Sequence, residues 1–493
     1  MRRLIRIIRN IFLALIAAVI VLGAVLAFNV FSQGSRQLQV AAVPKAQLDT
    51  QAAAARLGEA IRFRTISSYE KPEQHAEALR PMQAHIEKSF PAFHAAAKRE
   101  IVADYSLLYT WGGNDPKAQP IALLAHQDVV PVAPGTDQDW QHPPYDGVIA
   151  DGYIWGRGAW DDKGNLYAML EAAEMLAKAG FKPTRTVYFA FGHDEEVAGT
   201  RGARNIAALL ASRGVKLDFV IDEGLLIADG LVKGLDKPAA LIGLAEKGYA
   251  TLVLHAEATP GHSSMPPRDT AIGMMAAALA RLEDHKLPLQ MRGTVREMFD
   301  TLAPEMSGLS RVALSNLWLF RPLLLREFAK TGPTEATVRT TTALTIFNAG
   351  DKDNVLPGHA EATVNFRLIP GDTQASVTEH VRETINNDRI AIRPFPGNTD
   401  PPPVTGTESA SYRTLNRTIR EIFPDVIVAP GLMVAATDSR HYVGVTDKIF
   451  RFSPVRATGE DLKRFHGTNE RLSVEGYADM IRFYRRLLEN AAG

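Results

Sequence analysis

The chain has 493 residues, of which 46% are apolar and 22% are charged. This is the composition of a globular protein with a buried core, and the length suffices for two or three domains. Lys and Arg together number 55, and so do Asp and Glu, so net charge gives no reason to expect a nucleic-acid partner. The chain has no cysteine. Disulfides and thiolate metal sites are therefore excluded, and any metal must be held by histidine and carboxylate side chains.

Residues 1–31 are predicted to be a transmembrane signal anchor. Four arginines precede an uncharged stretch at residues 11–28, which as a helix would span roughly 27 Å, close to the hydrocarbon core of a bilayer. Basic residues before the stretch favour a cytoplasmic N-terminus. The rest of the chain would then lie in the periplasm or outside the cell, held to the membrane by this anchor. A cleaved signal, which would leave the protein secreted, and a buried helix of a soluble protein remain open as alternatives.

Residues 32–45 are polar and small and are predicted to be a linker, followed by the first part of a catalytic domain at residues 46–245. Short apolar runs in this part predict buried strands, and helical apolar spacing lies between them. The strands are predicted at 121–125, 186–191 and 219–221, a hairpin at 148–155, and helices at 53–63, 75–90, 165–179 and 205–214. Strands that alternate with helices are typical of an α/β domain with parallel strands.

The pattern changes near residue 246, where a second domain is predicted at residues 246–396. A strand and a helix at 249–256 and 271–282 are followed by a second pair at 362–369 and 376–386, which fits an inserted α+β domain of βαββαβ order. Between the pairs lies an unusually apolar stretch, residues 314–325. It is interpreted either as lid core or a subunit interface, which would allow a homodimer through this domain, or as a wall that receives an acyl chain. Residues 397–493 complete the catalytic domain.

Five short motifs of histidine and carboxylate residues end or follow apolar runs. An open α/β sheet binds its ligands outside the carboxyl ends of its strands, and two neighbouring metal ions need such a donor set with one bridging carboxylate. Imidazole and carboxylate suit zinc, with cobalt or manganese as alternatives. The motifs are His126-Gln127-Asp128, Asp161-Asp162-Lys163-Gly164, Glu195-Glu196, Asp222-Glu223-Gly224 and Phe465-His466-Gly467.

Each motif taken alone has an ordinary structural interpretation. His126 could be a hydrogen-bonded histidine at a strand end, although Asp128, on the same face, is placed to fix the tautomer of a ligating imidazole. Asp161 could cap a helix. Glu195 and Glu196 could be a solvated acidic turn, or one could be held by a metal while the other has a raised pKa.

Together the motifs resemble the di-zinc metallopeptidase family that includes carboxypeptidase S, aminoacylase, carnosinase and succinyl-diaminopimelate desuccinylase. The resemblance covers about residues 50–490 and also includes the segments 124–131, 155–164, 192–196 and 261–266. Within the family the chain is most similar to the carboxypeptidase S branch, with its secreted relatives that hydrolyse and form N-fatty-acyl amino acids. Segments 365–372 and 437–442 carry that likeness.

The resemblance implies an α/β fold, a zinc-peptidase-like mixed sheet flanked by helices, with an inserted lid domain. It implies two divalent metal ions, most simply zinc. One would be held by His126 and Asp222 and the other by Glu196 and His466, with Asp161 as the bridge.

Other side chains have further expected roles. The resemblance assigns the general base to Glu195 and the oxyanion donor to His262, while the position of Asp128 on the strand face makes it the carboxylate that orients the imidazole. Arg367 and Arg440 are candidates for binding a substrate carboxylate, because guanidinium recognises it bidentately; exposed ion pairs are their structural alternative. Asn354 is a candidate for a further polar contact.

The function expected from the resemblance is amide hydrolysis of N-acyl amino acids or short peptides that carry a free carboxylate. A carboxypeptidase or dipeptidase acting on true peptides is the alternative enzyme. A non-catalytic metal-binding scaffold on the same fold is the alternative of another class, although a scaffold has no need of the base Glu195.

Overall fold

A computed structural model describes residues 2–71 and 76–493, with strands and helices numbered along the chain. Helix α1 (Arg2–Ser32) is apolar, has no buried residue, and is the one helix of the described residues that is long and apolar enough to cross a membrane. A signal sequence has the same length and composition. The first residue of the helix predicted at 75–90 lies outside the described residues.

The main sheet has eight strands, and its centre is parallel. Strands β6, β3, β7 and β16 run parallel, whereas β2 is antiparallel to both β1 and β6, and β8 is antiparallel to β7 and β16. The predicted mixed sheet is thus confirmed. In spatial order the strands are β1 (Lys98–Val102), β2 (Ser106–Trp111), β6 (Val187–Gly192), β3 (Ile121–His126), β7 (Val220–Ala228), β16 (Ile449–Ala457), β8 (Ala239–Glu246) and β15 (Ile427–Met433).

Helices cover both faces of this sheet. Successive strand residues point to opposite faces, so Ile121, Leu123 and Ala125 of β3 join one apolar cluster while Ala122 and Leu124 join another. Helix α6 (Ala203–Ser212) packs on the second face. The helices of the first face are α2 (Thr50–Ile61), α3 (Ala76–Ser89), α4 (Pro91–Ala96), α5 (Lys163–Lys178), α13 (Ala410–Ile422) and α15 (Val474–Ala492).

A second, four-stranded antiparallel sheet forms the lid, and it has the predicted βαββαβ order. Alternate residues of its central strands are buried against its two helices, which gives the lid an apolar core of its own. In spatial order the strands are β11 (Thr341–Asn348), β13 (His359–Leu368), β9 (Gly248–Glu257) and β14 (Ile390–Pro394), and the helices are α7 (Ala271–Asp284) and α12 (Gln374–Ile385).

Four helices between the two halves of the lid pack against the main sheet. Their apolar residues share a cluster with Ala239 and Ala245 of β8 and with Ile427 and Leu432 of β15. These helices lie within residues 246–396, which the sequence pattern predicts as the lid domain. The helices are α8 (Gly293–Leu302), α9 (Gly308–Ser315), α10 (Leu317–Phe328) and α11 (Gly332–Val338).

Small elements complete the fold. Strands β17 (Arg471–Ser473), β5 (Tyr153–Trp155) and β4 (Val148–Ala150) form a three-stranded sheet. The predicted β4–β5 hairpin turns at Asp151-Gly152, where both residues have positive φ, as a tight two-residue hairpin requires. Strands β10 (Gly261–His262) and β12 (Val355–Leu356) pair in the lid, and α14 (Gly459–Leu462) follows β16.

Residues 33–49 contain no helix or strand, yet they lie along the catalytic domain. The Gln37 amide both donates to the carbonyl of Val428 at 2.9 Å and accepts its N–H at 2.8 Å. The N–H of Val43 donates to the carbonyl of Glu421 at 3.0 Å. The predicted linker is therefore bound to β15 and α13 along part of its length.

Candidate metal centre

The carboxyl ends of three adjacent parallel strands carry most of the predicted site. His126 ends β3, Glu195 and Glu196 form a 3₁₀ turn just after β6, and Asp222 lies in β7. Since the strand order is β6-β3-β7, these side chains meet at one edge of the sheet. His466 comes from the loop between α14 and β17.

Asp161 joins two groups of potential metal ligands. Its Oδ1 lies 3.0 Å from Nε2 of His126, and its Oδ2 lies 2.6 Å from Nε2 of His466. The first group is His126, Asp161 and Glu223, and the second is Asp161, Glu196 and His466. One carboxylate that offers an oxygen to each of two sites is the arrangement that a metal pair requires.

Glu223, and not Asp222, lies beside His126 in this structure. Glu223 Oε1 lies 3.5 Å from Nε2 of His126. Asp222 belongs to neither group, and its oxygens accept the N–H of Ser439 at 2.7 Å and of Glu223 at 3.0 Å. Neighbouring strand residues point to opposite faces, so only one of the two can face the imidazole. The ligand role of Asp222 stays a prediction, and this geometry makes Glu223 a second candidate for the same position.

The donor set fits divalent cations. Burial, and then repulsion by Asp161, raises the pKa of Glu196 to about 7 and that of Glu223 to about 8. Burial alone would lower the pKa of His466, but its hydrogen bonds with Asp161 and Glu196 raise that pKa to about 10. Glu196 Oε1 is buried without a hydrogen-bond partner. Crowded carboxylates of this kind are stabilised by a cation that replaces their protons.

Asp128 holds both the imidazole and the acidic turn. Its carboxylate lies 3.3 Å from Nδ1 of His126 and accepts the N–H of Glu195 at 3.1 Å and of Glu196 at 3.2 Å. Burial raises the pKa of Glu195 well above its usual range. Asp128 is fully buried. The backbone carbonyl of Asp128 lies closer still to Nδ1 of His126, at 2.9 Å. Asp128 therefore orients the imidazole through both groups, and its carboxylate holds the turn of Glu195 and Glu196.

A buried ion pair that sequence analysis missed supports the two loops of the site. Glu470 Oε1 accepts the N–H groups of Gly158, Trp160 and Asp161 at 2.9–3.1 Å. Its Oε2 accepts from Nη1 of Arg157 at 2.5 Å, and Nη2 of Arg157 donates to the carbonyl of His466 at 3.1 Å. The pair thus joins the loop of Asp161 to the loop of His466.

The lid carries His262 and Asn354 side by side. His262 pairs with Val355, next to Asn354, and the N–H of Ser263 donates to the carbonyl of Asn354 at 3.1 Å. His262 is exposed, and its Nδ1 lies 2.8 Å from Oγ of Ser264. Asn354 Oδ1 is buried without a partner. Neither ligand group of the described residues includes His262.

The two predicted arginines lie on opposite sides of the boundary between lid and main sheet. Arg367 of β13 lies over the ring of Tyr249, 4.7 Å from its centre, and Arg440 donates to the carbonyl of Ala198 at 2.9 Å, just after the Glu195 turn. Burial and the charge of Arg440 lower the pKa of Arg367. The two cations are thus close enough to repel. Tyr249 was not predicted, because one tyrosine in an alternating strand carries no signal.

Comparisons with known proteins identify the family of this chain. The model of peptidase family M20/M25/M40 matches residues 122–490. Probable carboxypeptidase S-like 2 of Dictyostelium discoideum is 44% identical over 441 residues, which cover 89% of this chain and 84% of that protein. N-fatty-acyl-amino acid synthase/hydrolase PM20D1 of Xenopus tropicalis is 44% identical over 436 residues, which cover 88% of this chain and 84% of that protein.

A solved structure shows the same fold. The M20 family metallo-carboxypeptidase Sso-CP2 from Sulfolobus solfataricus has a TM-score of 0.63 at 19% identity, covering 90% of this chain and 99% of that one. The fold and the site thus define a metal-dependent hydrolase. The chain belongs to peptidase family M20/M25/M40. The predicted family, and its carboxypeptidase S branch, are confirmed.

Proposed function

We propose that the protein hydrolyses the amide bond of N-acyl amino acids or short peptides with a free carboxylate, using two divalent metal ions, most simply zinc. The observation that carries the proposal is the position of Asp161, whose two oxygens each lie within 3.0 Å of a different histidine. His126 and Glu223 would complete one metal position, and Glu196 and His466 the other.

The reaction needs a base beside the metal pair. Two bound cations would lower the pKa of a water molecule and polarise the substrate carbonyl. Glu195, the neighbour of the ligand Glu196, would take the proton of that water and pass it to the leaving amine. Asp128 supports this role because it holds the N–H of Glu195. His262 would donate to the developing oxyanion.

The two arginines support a substrate with a carboxylate. Burial, and then the charge of Arg440 across the boundary between lid and main sheet, lowers the pKa of Arg367. An anionic group between them would relieve that repulsion and would be bound bidentately by guanidinium. Asn354, with its unpaired buried oxygen, is a further polar contact for the substrate.

The group on the acyl side of the scissile amide distinguishes two candidate enzyme functions. One relative is described as a carboxypeptidase and the other as a synthase and hydrolase of N-fatty-acyl amino acids. The hydrolase of N-acyl amino acids is the first candidate, and the peptidase is the second. Helix α1 supports a membrane-anchored enzyme with its catalytic domain outside the cytoplasm.

A hydrolysis screen tests the function. Acetyl, octanoyl and palmitoyl derivatives of one amino acid would be compared with dipeptides of the same C-terminal residue, with zinc, cobalt or manganese, below the micelle concentrations. We expect kcat/KM to rise with acyl length, since each buried methylene contributes about 0.8 kcal/mol at most. A flat series with rapid dipeptide cleavage would favour the peptidase. If the metal-bound protein hydrolysed neither N-acyl amino acids nor dipeptides, the non-catalytic metal-binding scaffold would be the remaining function.

A further inference from the structure

Helix α10 has an exposed apolar face that its packing leaves open. Trp318 and Leu323 are 62% and 61% exposed, and Leu319 is 40% exposed. Leu319 precedes Pro322 and Leu323 by three and four positions, and Trp318 precedes Pro322 by four, which places these residues on one side of a helix. The opposite side, including Leu317 and Phe328, packs against the cluster that joins α8 to the main sheet. The helix is thus held by the protein on one side and is apolar on the other.

The start of α10 is fixed to the end of α1. Asn316 is fully buried, and its amide donates to the carbonyl of Leu26 at 3.2 Å and accepts from the amide of Asn29 at 2.8 Å. Arg311 of α9 donates to the carbonyl of Val30 at 3.3 Å. These contacts fall where the uncharged stretch of α1, residues 11–28, gives way to polar residues.

Trp318 belongs to the same junction. Its indole Nε1 donates to Oδ1 of Asn316 at 3.3 Å, the oxygen that also accepts from Asn29. Tryptophan is favoured at the boundary between hydrocarbon and headgroups, where its ring is apolar and its N–H is bonded. Arg321 and Arg326 of α10 are exposed. Arg326 follows Pro322 by four positions and Leu323 by three, so it ends the apolar face with a positive charge, which an anionic lipid surface attracts.

We propose that the outer face of α10 is a second membrane contact, which inserts into the lipid interface beside the exit of α1. This rests on the anchoring part of the proposed function, because a spanning α1 sets the depth of the junction. Insertion at that depth would remove Trp318, Leu319 and Leu323 from water, which is favourable for apolar side chains. The contacts of the opposite side of α10 with the protein would not change. The occupant is a lipid bilayer, and α10 orients the catalytic domain on it.

Spin labels on the intact chain test this inference. The sequence has no cysteine, so single substitutions Ile16→Cys, Leu323→Cys and Phe395→Cys each place one nitroxide, in α1, on α10 and at an exposed site of the second domain. Phe395 is the matched control because it is 53% exposed and apolar. The full chain would be reconstituted in phosphatidylcholine and phosphatidylglycerol vesicles, and collisions with oxygen and with a water-soluble nickel chelate would be measured.

The three labels separate the possible outcomes. We expect residues 16 and 323 to have an oxygen-to-nickel collision ratio several-fold above that of residue 395. A lipid value at 16 with an aqueous value at 323 would overturn the α10 contact while the anchor stands. An aqueous value at 16 would overturn the anchor and, with it, this inference. Low collision rates with both reagents at residue 323 would show that another protein surface, such as a second copy of the chain, covers α10. That result would also overturn the membrane contact.

Tryptophan fluorescence gives a second test without labels. The other four tryptophans, Trp111, Trp140, Trp155 and Trp160, are 2–8% exposed, so Trp318 is the one indole that lipid can reach. Lipids brominated near the headgroup should quench the reconstituted protein more than lipids brominated near the chain end. Trp318→Phe should abolish this quenching while hydrolysis of the acetyl amino acid, which has no long chain to place, is retained. Equal quenching of the variant and the wild type would contradict the placement.

Discussion

The carboxylate of Asp128 accepts the backbone N–H of Glu195 at 3.1 Å, so the residue beside the first imidazole also positions the candidate base. The same carboxylate lies 3.3 Å from Nδ1 of His126. Strand β3 therefore controls both the orientation of a metal ligand and the turn that follows β6. A change in this one side chain should disturb metal affinity and proton transfer together, typically by 10–100-fold for such a supporting partner.

Glu195→Gln should abolish turnover and leave metal content near two ions per chain. The residue is adjacent to a ligand but belongs to neither ligand group, and loss of a general base costs at least about 10²–10⁴ in rate. Turnover and metal content would be measured on the same preparation. Glu196→Gln is the matched control, because it should lose metal. If Glu195→Gln also lost metal, the two glutamates would have to exchange roles.

Asp161→Ala should remove both metals, whereas His466→Ala should weaken mainly one. Asp161 contacts both histidines, and His466 contacts only the second group. The measurement is metal content after dialysis against a graded series of chelator concentrations. A chelator should also inactivate the wild type, with activity restored by a divalent metal. Equal metal loss in the two variants would contradict a bridging Asp161.

Glu223→Gln should lower metal affinity more than Asp222→Asn. The geometry places Glu223 with His126 and Asp161, whereas the oxygens of Asp222 accept backbone N–H groups. The two substitutions are matched, because each exchanges a carboxylate for an amide in adjacent residues of β7. Competition with a fluorescent zinc chelator would compare the two affinities. The opposite order would return the ligand role to Asp222, as the sequence resemblance implies.

Removal of residues 1–28 should give a soluble protein that hydrolyses short-chain substrates. The deleted part has no buried residue and carries no site residue. Removal of residues 1–45 should lower stability further, since it also removes Gln37, which satisfies the edge of β15 at Val428, and Val43. Urea midpoints and acetyl-amino acid hydrolysis would compare the two truncations. If the protein that lacks residues 1–28 were inactive and unfolded, α1 would have to be part of the folded core.

Glu421 should make stability fall with acidity between about pH 4.5 and 2. Burial alone would raise its pKa, but hydrogen bonds from Arg486, Asn490 and Arg417 lower it to about 2. The charged form is thus favoured by folding, so its contribution is present above the unfolded pKa and is lost as pH falls through the folded one. The contribution is on the order of 3 kcal/mol at most.

Glu421→Gln tests this in metal-free protein, so that metal loss does not interfere. The destabilisation by Glu421→Gln, from urea unfolding, should be large at pH 7 and shrink towards pH 3. Glu379→Gln is the control, because Glu379 forms an exposed pair with Arg382, and such pairs contribute little. A destabilisation by Glu421→Gln that does not change with pH would contradict the assigned pKa.

The sequence predicts the parts of the fold whose local pattern is strong. Strand β3 has six buried residues and ends in His126, and α5 (Lys163–Lys178) forms where a helix is predicted at 165–179. Strands β8 and β15 were not predicted, because their apolar runs contain glycine and proline and their pairing is set by distant partners. The packing of α8 to α11 on the main sheet likewise depends on tertiary contacts that no periodicity shows.

The site shows the same division. The motif order predicted that His126, Asp161, Glu196 and His466 would meet, because each follows or ends a recognisable element. The resemblance assigned Asp222 to the first metal position, whereas Glu223 lies beside His126 in the structure, since the facing side depends on the register of β7. Glu470 gave no signal either. Its importance comes from three backbone N–H groups that the chain brings to it from about 310 positions earlier.

Glu470 also sets an order of assembly. The loop of Asp161 emerges early in synthesis, but the carboxylate that organises its N–H groups and the partner histidine at 466 emerge near the end. The second metal position, which includes His466, cannot be complete until that late segment has docked, and until then the loop of Asp161 lacks the carboxylate that holds its N–H groups. In an exported chain, the metals would therefore be acquired where folding finishes, and the ion supply of that compartment, rather than of the cytoplasm, would select which metal the enzyme carries.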